Sequence, residues 1–151
     1  MRLQRVLFVC IGNACRSQMA EAFANRYGGD VLVARSAGLA PARAVAPATR
    51  EAMREKNFDL DGCVPKGFET TGTDYDVVVN MSGHPIAPAS IAPRVREWKV
   101  EDPISVNLER HRQIRDQIES LVQALIIELR RARQGGVPEK SRVPHGPANG
   151  R

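Results

Sequence analysis

The residues of this chain best suited to chemistry lie at positions 10–17, in the segment Cys-Ile-Gly-Asn-Ala-Cys-Arg-Ser. The segment follows an apolar run at 6–9 and precedes a stretch in which apolar residues recur at helical spacing. Its first thiol, Cys10, and its guanidinium, Arg16, therefore lie on a loop between a predicted strand and a predicted helix. Because helix N-termini bind anions, these residues predict a nucleophile beside an oxyanion site.

The loop residues have the conformational freedom and the donors that such a site requires. A thiol that attacks phosphorus has to be ionised, and inward-facing N–H groups stabilise the anion. Gly12 and Asn13 tolerate left-handed backbone conformations, so the loop can curl to point its N–H groups inward. The fork of Arg16 fits two oxygens of a tetrahedral oxyanion, and the Ser17 hydroxyl is placed to donate to the Cys10 sulfur. The predicted phosphate-binding residues are Ile11, Gly12, Asn13, Ala14, Cys15, Arg16 and Ser17.

The pattern around this loop alternates apolar strands with amphipathic helices. We predict strands at 5–9, 31–34, 75–79 and 98–100, and helices at 17–27, 47–57 and 106–133. Such alternation produces right-handed βαβ units, so the fold class is α/β: a three-layer sandwich around a small, mostly parallel, four-stranded sheet. Ligands bind beyond the carboxyl ends of the strands in such sheets, where Cys10 and Asp102 are both expected.

The length and composition are those of one globular domain with a tail. We place the domain at residues 1–133 and expect a disordered, basic, Gly- and Pro-rich tail at 134–151. The net charge of +5 attracts anions, but no binding motif or aromatic interleaving accompanies it, so nucleic acid is not an expected partner. No apolar run is long enough to cross a bilayer or to act as a signal peptide. We therefore expect a cytoplasmic protein that does not bind membranes.

The cysteines and histidines do not form a framework or a metal-binding pattern. The three cysteines are an odd number, unlike a secreted disulfide framework, and they lack the paired spacing of a zinc site. We therefore expect no metal and no cofactor. Cys63 is interpreted as a structural thiol and His84 as a surface loop residue. His111 and His145 are expected to face solvent.

The segment from Cys10 to Ser17 resembles the signature of the low-molecular-weight protein tyrosine phosphatases and of the arsenate reductases that share their fold. Three further segments stand in the order found in that family, namely Ser36-Ala-Gly38, Tyr75-Asp-Val-Val-Val79 and Glu101-Asp-Pro103. The resemblance covers residues 5–130 of the chain. It implies a phosphatase-I-like fold.

That resemblance also implies roles for individual residues. Cys10 would attack phosphorus and form a phosphocysteine, while Arg16 would hold the phosphoryl oxygens. Asp102 would protonate the leaving phenolate and then activate the water that releases phosphate; a turn cap is the alternative role for this residue. Asn13 would brace the loop, and Ser36 would hydrogen-bond to Asn13. The residues expected to support the loop are Asn13, Ser17 and Ser36.

Two activities of the family remain open at this point. The leading hypothesis is a phosphatase that acts on phosphotyrosine in a phosphorylated protein or on a small aryl phosphate. Thioredoxin-linked arsenate reductases need two further cysteines shortly after the third strand, and residues 79–85 contain none. An arsenate reductase that uses an external small thiol needs only Cys10, Arg16 and the loop, so it is the alternative. A non-catalytic oxyanion or phosphoprotein binder is the third possibility.

Two residues near the loop have two interpretations each. In family phosphatases the cysteine that matches Cys15 can form a reversible disulfide with the nucleophile; the other interpretation is a small residue that packs the loop. Phosphatases of the family usually carry aromatic residues after the Asp-Pro pair, where Ile104 and Ser105 follow here. Trp98 could line the substrate ring instead, although packing on the sheet is the commoner fate of a lone tryptophan.

Overall fold

The computed structural model describes residues 2–72, 74–86 and 95–135. Within these residues one parallel sheet has the strand order β2-β1-β3-β4. Its strands are β1 Gln4–Cys10, β2 Leu32–Gly38, β3 Val77–Asn80 and β4 Val95–Glu97. The helices are α1 Arg16–Tyr27, α2 Pro47–Arg54, α3 Phe68–Thr71 and α4 Leu108–Gly135, with a 3-10 turn at Pro103–Ser105. The predicted α/β class and four-stranded parallel sheet are confirmed.

Both faces of the sheet are covered, as a three-layer sandwich requires. Successive side chains of β1 point to opposite faces. Phe8 belongs to the larger core cluster, which α1 and α4 complete. Leu7 and Val9 face the other side, where Phe68 of α3 packs against their cluster. The apolar stripe of α4 has the predicted helical spacing, with Ile114, Ile118, Val122, Leu125 and Leu129 all buried.

The fourth strand lies earlier in the chain than predicted. We expected it at 98–100, but Val95–Glu97 pair with β3, and the N–H of Trp98 donates to the carbonyl of Asn80 as the chain leaves the sheet (3.0 Å). The indole of Trp98 packs on Phe8, with ring centroids 5.8 Å apart. The apolar character of position 98 therefore reflects packing, which confirms that interpretation of Trp98. The strand itself is charged because it lies at an edge.

Helix α2 is shorter than predicted. It ends at Arg54, whereas the pattern favoured a helix to residue 57. Asn57 adopts a left-handed φ of 67°, and the N–H of Phe58 then donates to the carbonyl of Met53 (3.0 Å). A left-handed residue after a helix lets the chain reverse, and here it turns the Phe58 ring into the core.

The helix α4 is displaced relative to its prediction at both ends. Asn107 precedes it and accepts a hydrogen bond from the N–H of Arg110 (2.8 Å), so the helix begins at Leu108 rather than 106. It continues to Gly135, two residues past the predicted domain boundary. Residues 136–151 of the predicted tail, His145 among them, lie outside the described residues, as do residues 87–93 of the loop after β3. No helix in the described ranges has the length and apolarity needed to span a bilayer.

Candidate active site

The loop at 10–17 joins the end of β1 to the start of α1 and is held from behind. Its carbonyl oxygens accept hydrogen bonds from the segment after β2: Leu39 donates to Cys10 (3.0 Å), Ala40 to Ile11 (2.8 Å) and Ala42 to Gly12 (2.9 Å). Asn13 has a φ of 52°, the left-handed conformation expected for it. Because the N–H and C=O of a peptide unit point in opposite directions, the N–H groups of Ile11, Gly12 and Asn13 point away from these donors in the segment after β2.

The thiol of Cys10 is buried beside the hydroxyl of Ser17. Cys10 is 2% exposed, and its Sγ is 2.9 Å from the Ser17 Oγ. The Asn13 Nδ2 donates to the same Ser17 Oγ (2.7 Å). Since the hydroxyl oxygen already accepts from Asn13, its proton is free to point at the sulfur. Ser17 is therefore placed to donate to Cys10 and to stabilise a thiolate.

The carboxamide of Asn13 connects the loop to two other segments. Its Oδ1 accepts from the Gln18 Nε2 (3.0 Å) and from the backbone N–H of Lys66 (2.9 Å). With Ser17 on its other end, this carboxamide has its partners without Ser36. The expected hydrogen bond between Ser36 and Asn13 is therefore wrong.

Ser36 takes part in a neighbouring ionic cluster instead. Its hydroxyl donates to the Glu21 carboxylate and accepts from the Lys66 Nζ (3.3 Å), which lies 3.6 Å from the same carboxylate. A carboxylate is a stronger acceptor than an amide oxygen, which explains the choice of partner. Three residues of these networks were not predicted from the sequence, namely Gln18, Glu21 and Lys66. The first two follow the loop directly on α1, whereas Lys66 lies in a weakly patterned segment with no signal of its own.

The Arg16 guanidinium is buried, and its hydrogen bonds to backbone carbonyls lie on its Nη1 side. It is 4% exposed, and its Nη1 donates to the carbonyls of Met81 and of Val100 (3.0 Å). Its Nε is buried without a partner among the described residues, and its Nη2 lies 3.5 Å from the Asp102 Oδ2. An unsatisfied buried N–H is destabilising by about 1–3 kcal/mol. The Nε and Nη2 edge is therefore the part of Arg16 that is set up to receive an oxyanion.

The carboxyl group of Asp102 performs two functions with its two oxygens. Oδ1 accepts from the N–H of Ile104 (3.1 Å) and caps the 3-10 turn, while Oδ2 approaches Arg16. Both roles considered for this residue are thus geometrically compatible. Its neighbour Glu101 is exposed and pairs with Arg110 (2.6 Å) instead.

One cavity of about 250 Å³ gathers these groups. Its lining residues are Cys10, Ile11, Gly12, Ala14, Cys15, Arg16, Ala42, Asp102 and Ile104. Trp98 is not among them, and the apolar side chains that line the cavity, apart from the two cysteines, are aliphatic. The described residues contain no group of three or more His, Cys, Asp or Glu side chains that could hold a metal ion. The chemistry available in the cavity is nucleophilic attack by sulfur on a tetrahedral oxyanion.

Three buried residues, Cys15, Thr49 and His111, form a polar cluster behind the loop. Burial raises the pKa of Cys15 to about 11, although a hydrogen bond with Thr49 opposes the shift. The Thr49 Oγ1 lies 2.9 Å from the His111 Nε2, and burial lowers the pKa of His111. The expectation that His111 faces solvent is wrong, because it lies on the apolar stripe of α4 that includes Ile114. The exposed position of His84 is confirmed.

Comparisons with known proteins place this geometry in a family. A family model described as low molecular weight phosphotyrosine protein phosphatase matches residues 5–135. A glutaredoxin arsenate reductase from Synechocystis sp. is 35% identical over 131 residues, which cover 84% of this chain and 99% of that relative. A solved structure of an arsenate reductase in the phosphate binding state is similar with a TM-score of 0.77 at 34% identity, covering 84% of this chain and 99% of the other.

The YwlE arginine phosphatase from Geobacillus stearothermophilus shares the fold, with a TM-score of 0.76 at 20% identity over 97% of this chain and 99% of the other. The relatives named as arsenate reductases and the family model named for phosphotyrosine protein phosphatases both match most of this chain. Together with the sequence coverage of the family model, they establish that this chain belongs to the low-molecular-weight phosphotyrosine protein phosphatase family.

Proposed function

We propose that this chain hydrolyses phosphate monoesters through a phosphocysteine on Cys10, with aryl phosphates such as phosphotyrosine as the substrate class. One observation carries the proposal. The thiol of Cys10, the open edge of Arg16 and the carboxyl group of Asp102 line the same cavity, and Arg16 Nη2 lies 3.5 Å from Asp102 Oδ2. Nucleophile, oxyanion clamp and general acid are the three groups that this hydrolysis requires.

The two steps balance with water as the only co-reactant. In the first step the Cys10 sulfur bonds to phosphorus while the bond to the leaving oxygen breaks, and Asp102 gives that oxygen a proton. Arg16 and the loop N–H groups hold the other phosphoryl oxygens. In the second step the Asp102 carboxylate takes a proton from water, the water oxygen bonds to phosphorus, and the S–P bond breaks. The Ser17 hydroxyl stabilises the departing thiolate.

The supply of thiols favours hydrolysis over reduction. Reduction of arsenate consumes two electrons, which thiols supply as a disulfide forms. The residues at 79–85 contain no cysteine, and Cys63 is half-buried and packs against the main core. Cys15 lines the cavity, but its pKa of about 11 keeps it protonated at neutral pH. Hydrolysis, in contrast, needs no further residue of this chain.

The test is turnover of a phenyl phosphate substrate by the wild type and by Cys10→Ser. The expected result is turnover by the wild type and loss of turnover by Cys10→Ser, because a hydroxyl does not replace the thiolate as nucleophile. Cys63→Ser is the matched control, since that thiol lies outside the cavity, and its turnover should equal that of the wild type. No turnover by the wild type, or unaltered turnover by Cys10→Ser, would remove the proposal.

Arsenate reduction with an external small thiol is the second candidate. The names of the relatives that are 34–35% identical favour it, and arsenate has the shape and charge that the loop accommodates. Here Cys10 would bond to arsenic with loss of water. An external thiol would then attack the Cys10 sulfur, so that a mixed disulfide forms as the S–As bond breaks and arsenite leaves. A second external thiol would release Cys10 as the disulfide of the external thiols forms. Arsenate consumption in the presence of glutathione or mycothiol measures this activity. A pure phosphatase shows no consumption with either thiol.

We also propose that residues 1–133 form the catalytic domain and that residues 134–151 take no part in the site. Since α4 continues to Gly135, the test is truncation after that residue. Turnover and melting temperature should both equal those of the full chain, and a loss of either would contradict the proposed domain boundary. A cytoplasmic location and the absence of nucleic-acid and membrane partners remain predictions from the sequence.

A further inference from the structure

The backbone of Met81 contacts both Arg16 and the residue before Cys10. Its N–H donates to the carbonyl of Val9 (2.7 Å), the residue before the nucleophile Cys10. Its own carbonyl accepts from the Nη1 of Arg16. The direction of this one carbonyl therefore helps to set where the open edge of Arg16 points.

The direction of that carbonyl is fixed from its far side. The C=O of Met81 and the N–H of Ser82 belong to one planar trans peptide unit, so they point in opposite directions. The N–H of Ser82 donates to the Oδ1 of Asn80 (3.0 Å). A hydrogen bond at each end prevents rotation of this unit, with Arg16 on one side and the side chain of Asn80 on the other.

The side chain of Asn80 is itself held at both of its ends. It is 1% exposed, and its Oδ1 also accepts from the Ser82 hydroxyl (2.7 Å). Its Nδ2 donates to the carbonyl of His84 (2.7 Å) and to the Glu97 carboxylate on β4, at 3.1 and 3.2 Å from the two oxygens. A buried carboxamide with this many partners has one orientation, which makes it a rigid support.

From this geometry we infer that Asn80 is a positioning residue for Arg16: it pins the 81–82 peptide so that the Met81 carbonyl holds the guanidinium with its Nε and Nη2 edge toward the oxyanion. The inference rests on the proposed function, in which Arg16 binds that oxyanion. Without the Asn80 side chain the peptide unit can rotate, and Nη1 keeps only the Val100 carbonyl as an anchor. The arginine then spends less time in the geometry that stabilises the transition state.

Asn80→Ala tests the inference, with Asn25→Ala as the matched control. Asn25 also uses both ends of its carboxamide on backbone groups, the N–H and the carbonyl of Ala34, but it lies toward the far end of α1 from Arg16. The measurements are kcat and KM for an aryl phosphate, and inhibition constants for vanadate and for phosphate. Vanadate can adopt the geometry of the transition state, whereas phosphate resembles the ground state.

The expected result for Asn80→Ala is a fall in kcat of about tenfold and a matching loss of vanadate affinity, with KM and phosphate affinity changed much less. Asn25→Ala should lower the melting temperature and leave both inhibition constants unchanged. A purely structural role for Asn80 would lower the melting temperature in the same way without separating vanadate from phosphate. That outcome would overturn the inference.

Two further results keep the inference testable. If Asn80→Ala does not fold, Glu97→Ala removes the outer tether of the Asn80 carboxamide and should weaken vanadate more than phosphate; equal weakening would overturn the inference. Absence of turnover and of vanadate inhibition in the wild type would overturn the proposed function and this inference with it. Wild-type inhibition by vanadate that Asn80→Ala leaves unchanged would overturn the role of Asn80 alone.

Discussion

Two loops lie at the carboxyl ends of neighbouring parallel strands, residues 10–17 at the end of β1 and residues 80–84 at the end of β3. The first loop contains Arg16, the second accepts a hydrogen bond from it, and the two loops offer opposite kinds of polar group. The first loop presents donors, namely its N–H groups and the Ser17 hydroxyl, to the place where an anion would lie. The second presents an acceptor, the carbonyl of Met81, to the cation. The guanidinium is thus hydrogen-bonded to carbonyls on its Nη1 side, whereas its Nε and Nη2 edge carries the ion pair with Asp102 and an Nε that has no partner among the described residues.

In the proposed function, the two loops have different tasks. The groups that contact the substrate come from the first loop, and the carbonyl that orients the arginine comes from the second. A third contact, the Val100 carbonyl, joins Arg16 to the segment that carries Asp102 (3.0 Å). In the proposed function Arg16 therefore links the loop of the nucleophile, the segment of the general acid and the supporting carbonyl, and its loss should have the largest effect.

Arg16→Lys should reduce kcat/KM by about 100-fold or more, because lysine keeps the charge but cannot bind carbonyls on one side and present two parallel N–H groups on the other. Steady-state kinetics with an aryl phosphate measure the change. Arg26→Lys, on the same helix but stacked over the Phe58 ring, is the control and should leave turnover unchanged. A mild effect of Arg16→Lys would mean that charge alone suffices and that the second loop has no positioning role.

Asp102→Asn should affect substrates according to their leaving group. Phenyl phosphate, which leaves as a basic phenolate, should slow by about 100-fold, whereas p-nitrophenyl phosphate should slow less because its leaving group needs little protonation. The ratio of the two rates is the measurement. Glu101→Gln is the matched control, since that neighbouring carboxylate pairs with Arg110. Equal slowing of both substrates would show that Asp102 positions Arg16 rather than acting as the acid.

The contrast between the two loops also explains what the sequence could predict. The first loop acts through side-chain types at short spacing, so Cys10, Arg16 and Ser17 could be named from the sequence. The second acts through a backbone carbonyl, which every residue has. Nothing in the identity of Met81 indicates its role, and the part played by Asn80 depends on a strand pairing with Glu97 that only the fold creates.

The prediction of the fold was correct where the sequence pattern is strong, and it was wrong where one large residue dominated a short segment. The stripe of α4 has a clear helical period and β1 is a continuous apolar run, and both elements are present in the structure. The fourth strand was misplaced because Trp98 made its neighbours look like a strand. His111 was judged by its polarity, although its spacing from Ile114 and Ile118 matched the buried stripe of the same helix. Long-range contacts such as Lys66 to Asn13 leave no local pattern.

Gly38→Ala tests whether the first loop depends on close packing from behind. A Cβ at Gly38 would lie 2.8 Å from the Ile11 carbonyl oxygen and 2.9 Å from the Asn13 nitrogen, so the loop would have to shift. We expect a loss of about 1–3 kcal/mol in the free energy of unfolding, measured by urea denaturation. Gly12→Ala is the stability control, because its Cβ would lie 3.6 Å from that of Ala42, an ordinary contact. Equal stability of the two variants would show that the loop yields without strain.

The smallest expected effect concerns the buried polar cluster of Cys15, Thr49 and His111, which lies behind the first loop. Burial lowers the pKa of His111 below its ordinary value of 6.5, so between the two pKa values the unfolded chain binds more protons than the folded one. Stability should therefore fall as the pH drops below about 6.5, and His111→Gln should make that fall shallower. Urea denaturation at pH 7 and pH 5 measures the difference, with the exposed His84→Gln as control. If His111→Gln and His84→Gln alter the pH dependence equally, burial does not keep His111 neutral in the folded chain, and the cluster stabilises the first loop by packing alone.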